Sequence, residues 1–474
     1  METVLLSTGI DIGTSTTGMV ISRLTIRNTA GMFSVPHADI VDKQVIYKSS
    51  IYHTPLVDEC HIDIPRIQQI LMEEYGRAGI GPEQIETGAV IITGESAVKE
   101  NARLVIQAVS GFAGDFVVAT AGPDLESVIS GQGSGAQHFS EQNHCSVLNI
   151  DIGGGTSNFA LFDCGVPRAK SCYDIGGRLI KVDSAQRITA ISPRIAPVLE
   201  RLGITLRLGE RLREDIAEQI AAIMAEMLGK AAQMLQDHLL ERLHTRNSGT
   251  LSGACPQYLS LSGGVSELLG RLPDERFAYG DIGVFLAEAI SKSAWYQNFQ
   301  VAVAEEKIRA TVVGAGSYTT MLSGSTISVD PPVLLPLKNL PVLLLTATEE
   351  QQAREGDGEL LRQKLHWFLQ QTDADTVAMA LPDVVAPSYR QIRALAQSVA
   401  YAAQAIEYTQ PLVVLCGCDF AKALGQCLKR AAPERKMAAL DGVAAGENDY
   451  LDIGRPVLNG IAVPVIVKTL LVGR

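Results

Sequence analysis

The stretch that decides the fold is a glycine-rich turn between two apolar runs. It reads Asn149-Ile150-Asp151-Ile152-Gly153-Gly154-Gly155-Thr156-Ser157-Asn158. The run before it (Ser146 to Ile150) and the run after it (Phe159 to Phe162) are short and strand-like, which predicts a β-hairpin. Three glycines in a row predict a positive φ or a close approach to another group. Free backbone N–H groups in such a turn bind anions, and an aspartate beside a phosphate is suited to hold hydrated Mg²⁺. On this motif alone, a tight structural hairpin without a ligand is an equal alternative.

A second copy of the pattern lies near the start of the chain. It reads Ile10-Asp11-Ile12-Gly13-Thr14-Ser15-Thr16-Thr17-Gly18 and is followed by a returning apolar run from Met19 to Leu24. The two aspartates are 140 positions apart (151 − 11), about the length of one domain. We therefore expect two similar halves that face one ligand.

A third glycine turn follows another apolar run and precedes a helix-like stretch. It reads Leu259-Ser260-Leu261-Ser262-Gly263-Gly264-Val265-Ser266-Glu267. The three turns, in this order, resemble the phosphate-1, phosphate-2 and adenosine loops of the actin/Hsp70/sugar-kinase ATPase superfamily. One such turn alone could be a structural hairpin without a ligand. That explanation is much less favoured for three such turns in one chain.

Composition narrows the function classes. The chain has 474 residues, of which 46% are hydrophobic and 19% charged, as is typical of a globular protein of two or three domains. Its net charge of −12 argues against nucleic acid as the main partner. No apolar stretch approaches a membrane span, and the start of the chain is unlike a signal peptide. The eight scattered cysteines fit a reducing cytoplasm.

The order of predicted strands and helices indicates an α/β fold. The expected fold is a duplicated actin-like (ribonuclease H-like) ATPase core with an appended C-terminal α/β domain. We expect the first half at residues 1–145, the second at 146–330 and the appended domain at 335–474, with Pro331-Pro332 as a linker.

Two stretches carry no strand pattern, and one turn has two interpretations. Thr25 to Pro55 is predicted to be irregular, and Tyr450 to Pro456 is predicted to be a polar loop. Leu415 to Asp419, which includes Cys416 and Cys418, is predicted to be a plain tight turn, with a ligand-binding turn as the less favoured alternative.

Across its whole length the chain resembles the EutA family, the ethanolamine ammonia-lyase-reactivating factors. The segments that carry this resemblance are Asp11 to Thr17, Ala121 to Ile129, Asp151 to Asn158, Ala310 to Thr320 and the C-terminal domain ending Gly460 to Val472. The resemblance implies a factor that uses ATP and Mg²⁺ to loosen inactivated ethanolamine ammonia-lyase. Damaged cobalamin then leaves and intact adenosylcobalamin enters. Such a factor is expected in the cytoplasm or in a bacterial microcompartment.

The resemblance also implies roles for particular residues. Asp11 and Asp151 would hold the hydrated metal. N–H and hydroxyl donors to the phosphates would come from Gly13, Thr14, Ser15, Thr16 and Thr17 in the first turn, and from Gly153, Gly154, Gly155 and Thr156 in the second. Gly263 and Gly264 would let the backbone pass close to adenosine.

One departure from the superfamily concerns the attacking water. Hsp70-like ATPases carry a water-orienting glutamate where this chain has Gly122, and an aspartate where it has Asn158. Glu126 lies one helical turn beyond Gly122, so it is our candidate for orienting the water, with a solvated helix carboxylate as the alternative. We expect Asp124 to interact with the free N–H groups at the start of its helix.

Two other functions on the same scaffold stay open at this point. A small-molecule kinase would need a base and a pocket for a second substrate. A filament-forming or scaffold ATPase of the actin type would need no second substrate.

Overall fold

The computed structural model describes most of the chain. The described residues are 2–13, 16–30, 38–58, 61–92, 101–110, 112, 117–119, 123–246, 248–253, 255–318, 321–323, 326–330, 335–372, 374–382, 387–443, 445–446 and 449–469. None of the helices in these ranges is long and apolar enough to cross a membrane.

The first sheet is built from a long antiparallel meander that continues into parallel strands. Its strands are β1 (Glu2–Ile12), β2 (Thr16–Asn28), β3 (Ala38–Lys48), β4 (Tyr52–His53), β5 (Thr87–Ile92) and β6 (Val117–Ala119). The helices of this half are α1 (Ile64–Ala78), α2 (Ala102–Ser110), α3 (Pro123–Gly133) and α4 (Ala136–Gln142). The strand order is β3-β2-β1-β5-β6, and β4 pairs with β2.

The second sheet repeats this plan. Its strands are β7 (Ser146–Ile152), β8 (Ser157–Asp163), β9 (Val166–Tyr173), β12 (Tyr258–Ser262) and β13 (Gln300–Val301), and a separate pair is formed by β10 (Ile180–Val182) and β11 (Ile188–Ile191). The helices are α5 (Ala196–Leu202), α6 (Glu214–Ala232), α7 (His238–Leu243), α8 (Gly283–Lys292), α9 (Ala294–Asn298) and α10 (Ala310–Tyr318). The strand order is β13-β12-β7-β8-β9.

The two sheets therefore share one topology. In each, three antiparallel strands are followed by two strands parallel to the first, β5 and β6 in one sheet and β12 and β13 in the other. Helices α3 and α10 cross between the halves at a contact that only glycine allows. A β-carbon on Gly133 would lie 1.9 Å from the Ala310 carbonyl oxygen, and one on Gly314 would lie 2.0 Å from the Ile129 carbonyl oxygen. The duplicated core confirms the predicted fold class.

A third sheet of eight strands dominates the C-terminal region. Its strands are β14 (Met321–Ser323), β15 (Ser328–Val329), β16 (Leu337–Leu344), β17 (Ala378–Ala380), β18 (Leu412–Cys416), β19 (Met437–Asp441), β20 (Asp449–Ile453) and β21 (Val463–Thr469). The helices are α11 (Ala347–Arg354), α12 (Gly358–Gln371), α13 (Tyr389–Ala405) and α14 (Ala421–Ala431). The order is β14-β21-β20-β16-β17-β18-β19-β15, in which β16 to β19 are parallel.

This third sheet curls until its two edges meet. Ser323 of β14, at one edge, lies against Asp441 of β19, next to the other edge, and the Asp441 N–H donates to the Ser323 hydroxyl at 3.0 Å. Strands β14 and β15 precede residue 330, yet they pair with β21 and β19. The predicted linker Pro331-Pro332 lies outside the described residues, and the predicted domain limits stay a prediction.

The C-terminal region also packs against the first half. Ile466 of β21 is buried against Ala89, Ile91, Ile129 and Ala315. A second cluster joins Leu5, Leu24, Ile26 and Ala38 to Val457, Leu458 and Ala462. The C-terminal sheet therefore packs directly against residues of α3 and α10.

Two predicted irregular stretches are strands. Within residues 25–55, β2 continues to Asn28, and β3 and β4 follow. β3 mixes charged and apolar side chains without alternation, and two register shifts against β2 accommodate it. Residues 450–456, predicted as a polar loop, largely belong to β20, where buried Asp452 accepts a hydrogen bond from the Asn339 N–H at 2.7 Å.

Candidate functional site

The two aspartate-bearing turns have the same geometry. The Gly13 N–H donates to the Thr16 carbonyl at 2.9 Å, and the Gly153 N–H donates to the Thr156 carbonyl at 3.0 Å. Asp11 lies opposite Gly18 across the first hairpin, as Asp151 lies opposite Asn158 across the second. The predicted phosphate contacts Thr14 and Ser15 lie outside the described residues.

The three glycines of the second turn do not adopt a positive φ. None of Gly153, Gly154 and Gly155 has one, so of the two reasons expected for glycine here, a close approach to another group is the one that is left. Gly176 lies directly on the turn, because a β-carbon there would be 2.4 Å from the Gly154 carbonyl oxygen. A β-carbon on Gly155, in contrast, would meet no protein atom within 4 Å. This leaves room beside the backbone for a bound group.

The third glycine turn meets the second one at the end of β7. Gly263 has a φ of 88°, and a β-carbon there would lie 2.5 Å from the Ile152 carbonyl oxygen. The Val265 N–H donates to that same carbonyl at 3.1 Å. Gly263 is thus required by the neighbouring strand, whereas Gly264 borders open space, with Ile308 as its neighbour at 3.8 Å.

These turns surround one cleft of about 370 Å³ between the halves. The first half contributes Asp11, Gly13, Thr16, Ile51, Tyr52, His53 and Glu126. The second half contributes Asp151, Gly153, Gly154, Gly155, Thr156, Asn158, Gly177, Arg178, Gly263, Gly264, Val265, Glu267, Leu268, Tyr279, Asp281, Gly283, Ile308 and Thr311. Of the predicted site residues that the structure describes, Thr17 alone is not among these lining residues. Thr17 is buried, and its hydroxyl contacts the Thr54 hydroxyl at 3.1 Å.

The charge of the cleft is strongly negative. Its described lining includes the carboxyl groups of Asp11, Glu126, Asp151, Glu267 and Asp281, but only Arg178 and His53 as basic groups. Arg178 Nε is already paired with Asp281 Oδ2 at 2.9 Å. A bound cation would offset this excess of carboxyl groups.

Asp151 is held by two hydroxyl groups from other elements. The Ser262 hydroxyl of β12 donates to Oδ1 at 2.7 Å, and the Thr311 hydroxyl of α10 lies 3.5 Å from Oδ2. Burial raises the pKa of Asp151 to about 6, and the two hydroxyl contacts oppose that rise. The carboxylate is thus oriented but incompletely stabilised in its ionised form.

Glu126 faces the two aspartates from α3. Burial raises the pKa of Glu126 well above its usual range, and the charges of Asp11 and Asp151 raise it further. A hydrogen bond from Asn158 acts in the opposite direction. Asn158 is buried, and its Oδ1 has no hydrogen-bond partner among the described residues, so an acceptor is left for a donor in the cleft. The predicted residue Gly122 lies outside the described residues.

Asp124, in the first turn of α3, also contacts the second half; its expected interaction with the N–H groups of that turn stays a prediction. It accepts the Gly249 N–H at 2.7 Å, and it pairs with Lys170 Nζ at 3.6 Å. The loop that contains Gly249 comes from the second half, which explains why the sequence around Asp124 did not reveal the contact.

The donor set fits Mg²⁺ and a phosphorylated nucleotide. The described residues hold no group of three or more His, Cys, Asp and Glu side chains that could hold a metal ion. Mg²⁺ is usually bound by one or two carboxylates, with phosphates and water as the remaining ligands. Asp11 and Asp151 both line the cleft and would be the two carboxylates for such a metal, and the open space beside Gly155 is suited to a phosphate.

The sequence reasoning missed several cleft residues. Tyr52 and His53 fall in the stretch that was predicted to be irregular. The neighbouring Thr54 hydroxyl donates to the Gly13 carbonyl at 2.7 Å and so braces the first turn. Arg178 directly follows two glycines, Gly176 and Gly177, and this glycine pair was the available signal for it.

Comparison with known proteins gives one family. The model of the family described as ethanolamine utilisation protein EutA matches residues 3–473. The ethanolamine ammonia-lyase reactivase EutA of Salmonella typhimurium strain LT2 is 37% identical over 474 residues, with 98% of each chain covered. The protein of the same name from Escherichia coli K12 is 38% identical over 471 residues, again with 98% of each chain covered.

The solved structures give only remote similarity. A Ppx/GppA family member from Aquifex aeolicus aligns with 66% of this chain and 97% of its own. The TM-score is 0.39 and the sequence identity 13%, which is too low to bear on function.

Proposed function

The chain belongs to the EutA family of ethanolamine utilisation proteins, and on this basis we propose that it is an ATP-dependent reactivating factor for ethanolamine ammonia-lyase. In this proposal it promotes release of damaged cobalamin from the lyase and its exchange for intact adenosylcobalamin. It acts where the lyase is, in the cytoplasm or in a bacterial microcompartment.

The observation that supports ATP use is the convergence of three glycine turns on one acidic cleft. Asp11 and Asp151 would hold hydrated Mg²⁺, whose charge would neutralise the phosphates. Backbone N–H groups and hydroxyls at 13–16 and 153–156 would position the phosphates. Gly263 and Gly264 would pass beside adenosine, and the apolar side chain of Ile308, 3.8 Å from a β-carbon on Gly264, also lines the cleft.

The hydrolytic step would depend on positioning and charge stabilisation. Glu126 would accept a proton from the attacking water, and Asn158 would orient Glu126. Because the raised pKa of Glu126 favours its neutral form, a nearby cation would be needed for it to act as a base at neutral pH. We therefore expect slow basal turnover.

The output of the cycle would be a movement of the two halves about α3 and α10. Ile466 packs against Ile129 of α3 and Ala315 of α10, which offers a path from the cleft to the C-terminal sheet. We assign recognition of the lyase to the C-terminal domain. Trp367 of α12 and Tyr389 of α13 expose large aromatic side chains there, of a type common at protein interfaces.

The deciding experiment is reactivation of the lyase. Inactivated ethanolamine ammonia-lyase is incubated with this protein, ATP, Mg²⁺ and fresh adenosylcobalamin, and both ammonia formation and released cobalamin are measured. We expect both to depend on ATP and to be absent with the Asp151→Asn variant. Failure of lyase activity to return with the parental protein would contradict the proposal.

Point variants test recognition better than truncation. Removing the chain after residue 332 would leave β14 and β15 without their partner strands. We expect Trp367→Ala and Tyr389→Ala to reduce reactivation while basal ATP turnover is retained. Met72→Ala, at an equally exposed site in the first half, is the matched control. Full reactivation by both aromatic variants would argue against this surface.

A further inference from the structure

A line of buried polar side chains runs beneath the cleft through an otherwise apolar layer. Ser134, Asn149 and Ser262 are each no more than 1% exposed, and Asp151 is 6% exposed. Their neighbours along β7 and β12 include the buried Leu148, Ile150 and Leu261. Buried polar groups are costly unless they are hydrogen-bonded, so the contacts of these four residues need an explanation.

The contacts form one continuous chain that ends on Asp151. The Ser134 hydroxyl donates to Asn149 Oδ1 at 2.9 Å. Asn149 Nδ2 donates to the Ser262 hydroxyl at 3.1 Å. The Ser262 hydroxyl donates to Asp151 Oδ1 at 2.7 Å.

The direction of the chain follows from its last member. An ionised carboxylate can only accept, so Ser262 must donate its single proton to Asp151. The Ser262 oxygen is then an acceptor for the amide nitrogen of Asn149, and the Asn149 oxygen is turned toward Ser134. The Ser262 hydroxyl is therefore committed to Asp151 when Asp151 is ionised, and the carboxylate has one preferred orientation. The Ser134 hydroxyl also lies within reach of the Gly131 carbonyl oxygen, at 3.1 Å.

Both ends of the arrangement are fixed by elements at the junction of the halves. Ser134 directly follows α3, and its carbonyl accepts the Glu305 N–H at 2.9 Å. Thr311 of α10 approaches the other carboxylate oxygen of Asp151 at 3.5 Å. The orientation of Asp151 is thus coupled to the two helices about which the halves would move.

We propose that Ser262 and Asn149 are positioning residues for divalent-metal binding at Asp151, with Thr311 as a weaker second support. This inference rests on the proposed function, because it assigns residues that act through the proposed metal carboxylate. Hydrogen bonds to a ligating carboxylate fix its orientation, and their loss typically weakens metal affinity or activity about 10–100-fold.

The chain offers a closely matched control for the test. Ser260 lies on β12 two residues before Ser262, is 1% exposed, and its hydroxyl has no hydrogen-bond partner in the described part of the chain. Ser260→Ala and Ser262→Ala therefore make the same chemical change on the same strand. They differ in that Ser262→Ala also removes the hydrogen bond to Asp151 and the acceptor of Asn149 Nδ2.

The readout is metal affinity rather than turnover. Mn²⁺ binding to the full chain with a non-hydrolysable ATP analogue is measured by electron paramagnetic resonance, and analogue binding is measured separately in EDTA. We expect Ser262→Ala to weaken Mn²⁺ binding about 10–100-fold, with analogue affinity in EDTA close to that of Ser260→Ala. Thermal stability should be lower than in Ser260→Ala, because the buried Asn149 Nδ2 loses its acceptor. Equal Mn²⁺ affinity in these two variants would overturn the proposal.

Two further variants keep the result interpretable. If Ser262→Ala does not fold, Thr311→Val removes the second hydroxyl with little change in shape. A smaller but measurable loss of Mn²⁺ affinity would support the proposal, and no loss would overturn it.

Asp151→Asn distinguishes the assignment of Asp151 as a metal ligand from the positioning role of Ser262. Parental Mn²⁺ affinity in Asp151→Asn would contradict the metal assignment itself, whereas a loss there with none in Ser262→Ala would contradict only the positioning role.

Discussion

The two aspartate turns share a backbone but not a set of supporting residues. In the first half, the residue opposite Asp11 is Gly18, and the Thr54 hydroxyl braces the turn by donating a hydrogen bond to the Gly13 carbonyl. In the second half, the residue opposite Asp151 is Asn158, which bonds Glu126. The backbone of residues 177–178 also braces that turn, with the Gly177 N–H on the Gly153 carbonyl at 3.0 Å.

This difference shows what a duplicated fold specifies. Strand register sets where each aspartate lies, because a hairpin with the same pairing places it at the same point. The groups around each aspartate come from other parts of the chain, and these parts differ between the halves. In the second half, the side chains that hold or polarise the site include Asn158, Ser262 and Thr311. The predictions below test whether this asymmetry matters.

The largest expected effect comes from removing either carboxylate. Asp11→Asn and Asp151→Asn each replace a carboxylate with a neutral amide, a poorer ligand for hydrated Mg²⁺. We expect each to lower ATP turnover about 10²–10³-fold, the range seen when one preorganised electrostatic group is lost. Phosphate release at saturating ATP and Mg²⁺ measures the effect. A parental rate in either variant would show that its half does not take part in metal binding.

The second prediction concerns stability. Here the loss of the Asp151 carboxylate is expected to improve a property of the protein, whereas in the first prediction it lowers turnover. The pKa of Asp151 is raised from 3.8 to about 6, so its ionisation opposes folding. A carboxyl group whose pKa is raised by folding stabilises the folded state at pH values below its pKa in the unfolded chain. This stabilisation is lost as the pH rises through the pKa of the group in the folded protein. The shift corresponds to roughly 3 kcal/mol.

Metal-free Asp151→Asn should therefore be more stable than the parent at pH 7.5, with a smaller difference at pH 5. Urea unfolding in EDTA at the two pH values measures this. A variant that is less stable than the parent at pH 7.5 would contradict the effect assigned to burial of Asp151.

The third prediction concerns the brace of the second turn. Gly176→Ala would place a β-carbon 2.4 Å from the Gly154 carbonyl oxygen, and we expect a loss of about 1–3 kcal/mol from overpacking. Gly18→Ala is the control in the first half, because its β-carbon would meet only the Ser49 hydroxyl, at an ordinary 3.8 Å. Chemical denaturation of both variants gives the comparison. Equal stability of the two would mean that the second turn yields to the added carbon at little cost.

The last prediction, with the smallest minimum effect on turnover, concerns Glu126→Gln. A positioned base typically contributes about 10²–10⁴-fold, and we expect at least about a tenfold loss of turnover with little change in ATP affinity. Because the pKa of Glu126 is raised, parental turnover should rise with pH above the usual carboxyl range, and the variant should lose this dependence.

Asp124→Asn is the matched control for Glu126→Gln. It lies on the same helix, but its carboxylate contacts Gly249 and Lys170 instead of the cleft. Unchanged turnover in Glu126→Gln would leave the metal and the backbone donors as the whole catalytic apparatus.

The sequence by itself determined the duplicated plan of this protein. Apolar runs around Asp11, Asp151 and Gly263 predicted three turns after strands, and all three follow strands as expected. These predictions succeeded because strand, turn and returning strand are local, and each is specified by a few adjacent residues. The family resemblance was also carried by short segments, and the whole-chain match confirms it.

Only the tertiary structure decided what surrounds each turn. β3 has no alternating pattern of its own and is a strand because β2 pairs with it. Gly176 is required by Gly154, and Ser262 reaches Asp151 from a strand that follows 111 positions later. Likewise, the raised pKa of Glu126 depends on charges that the fold brings from both halves. Such properties arise from desolvation and from partners distant in sequence, so no local pattern of residues could predict them.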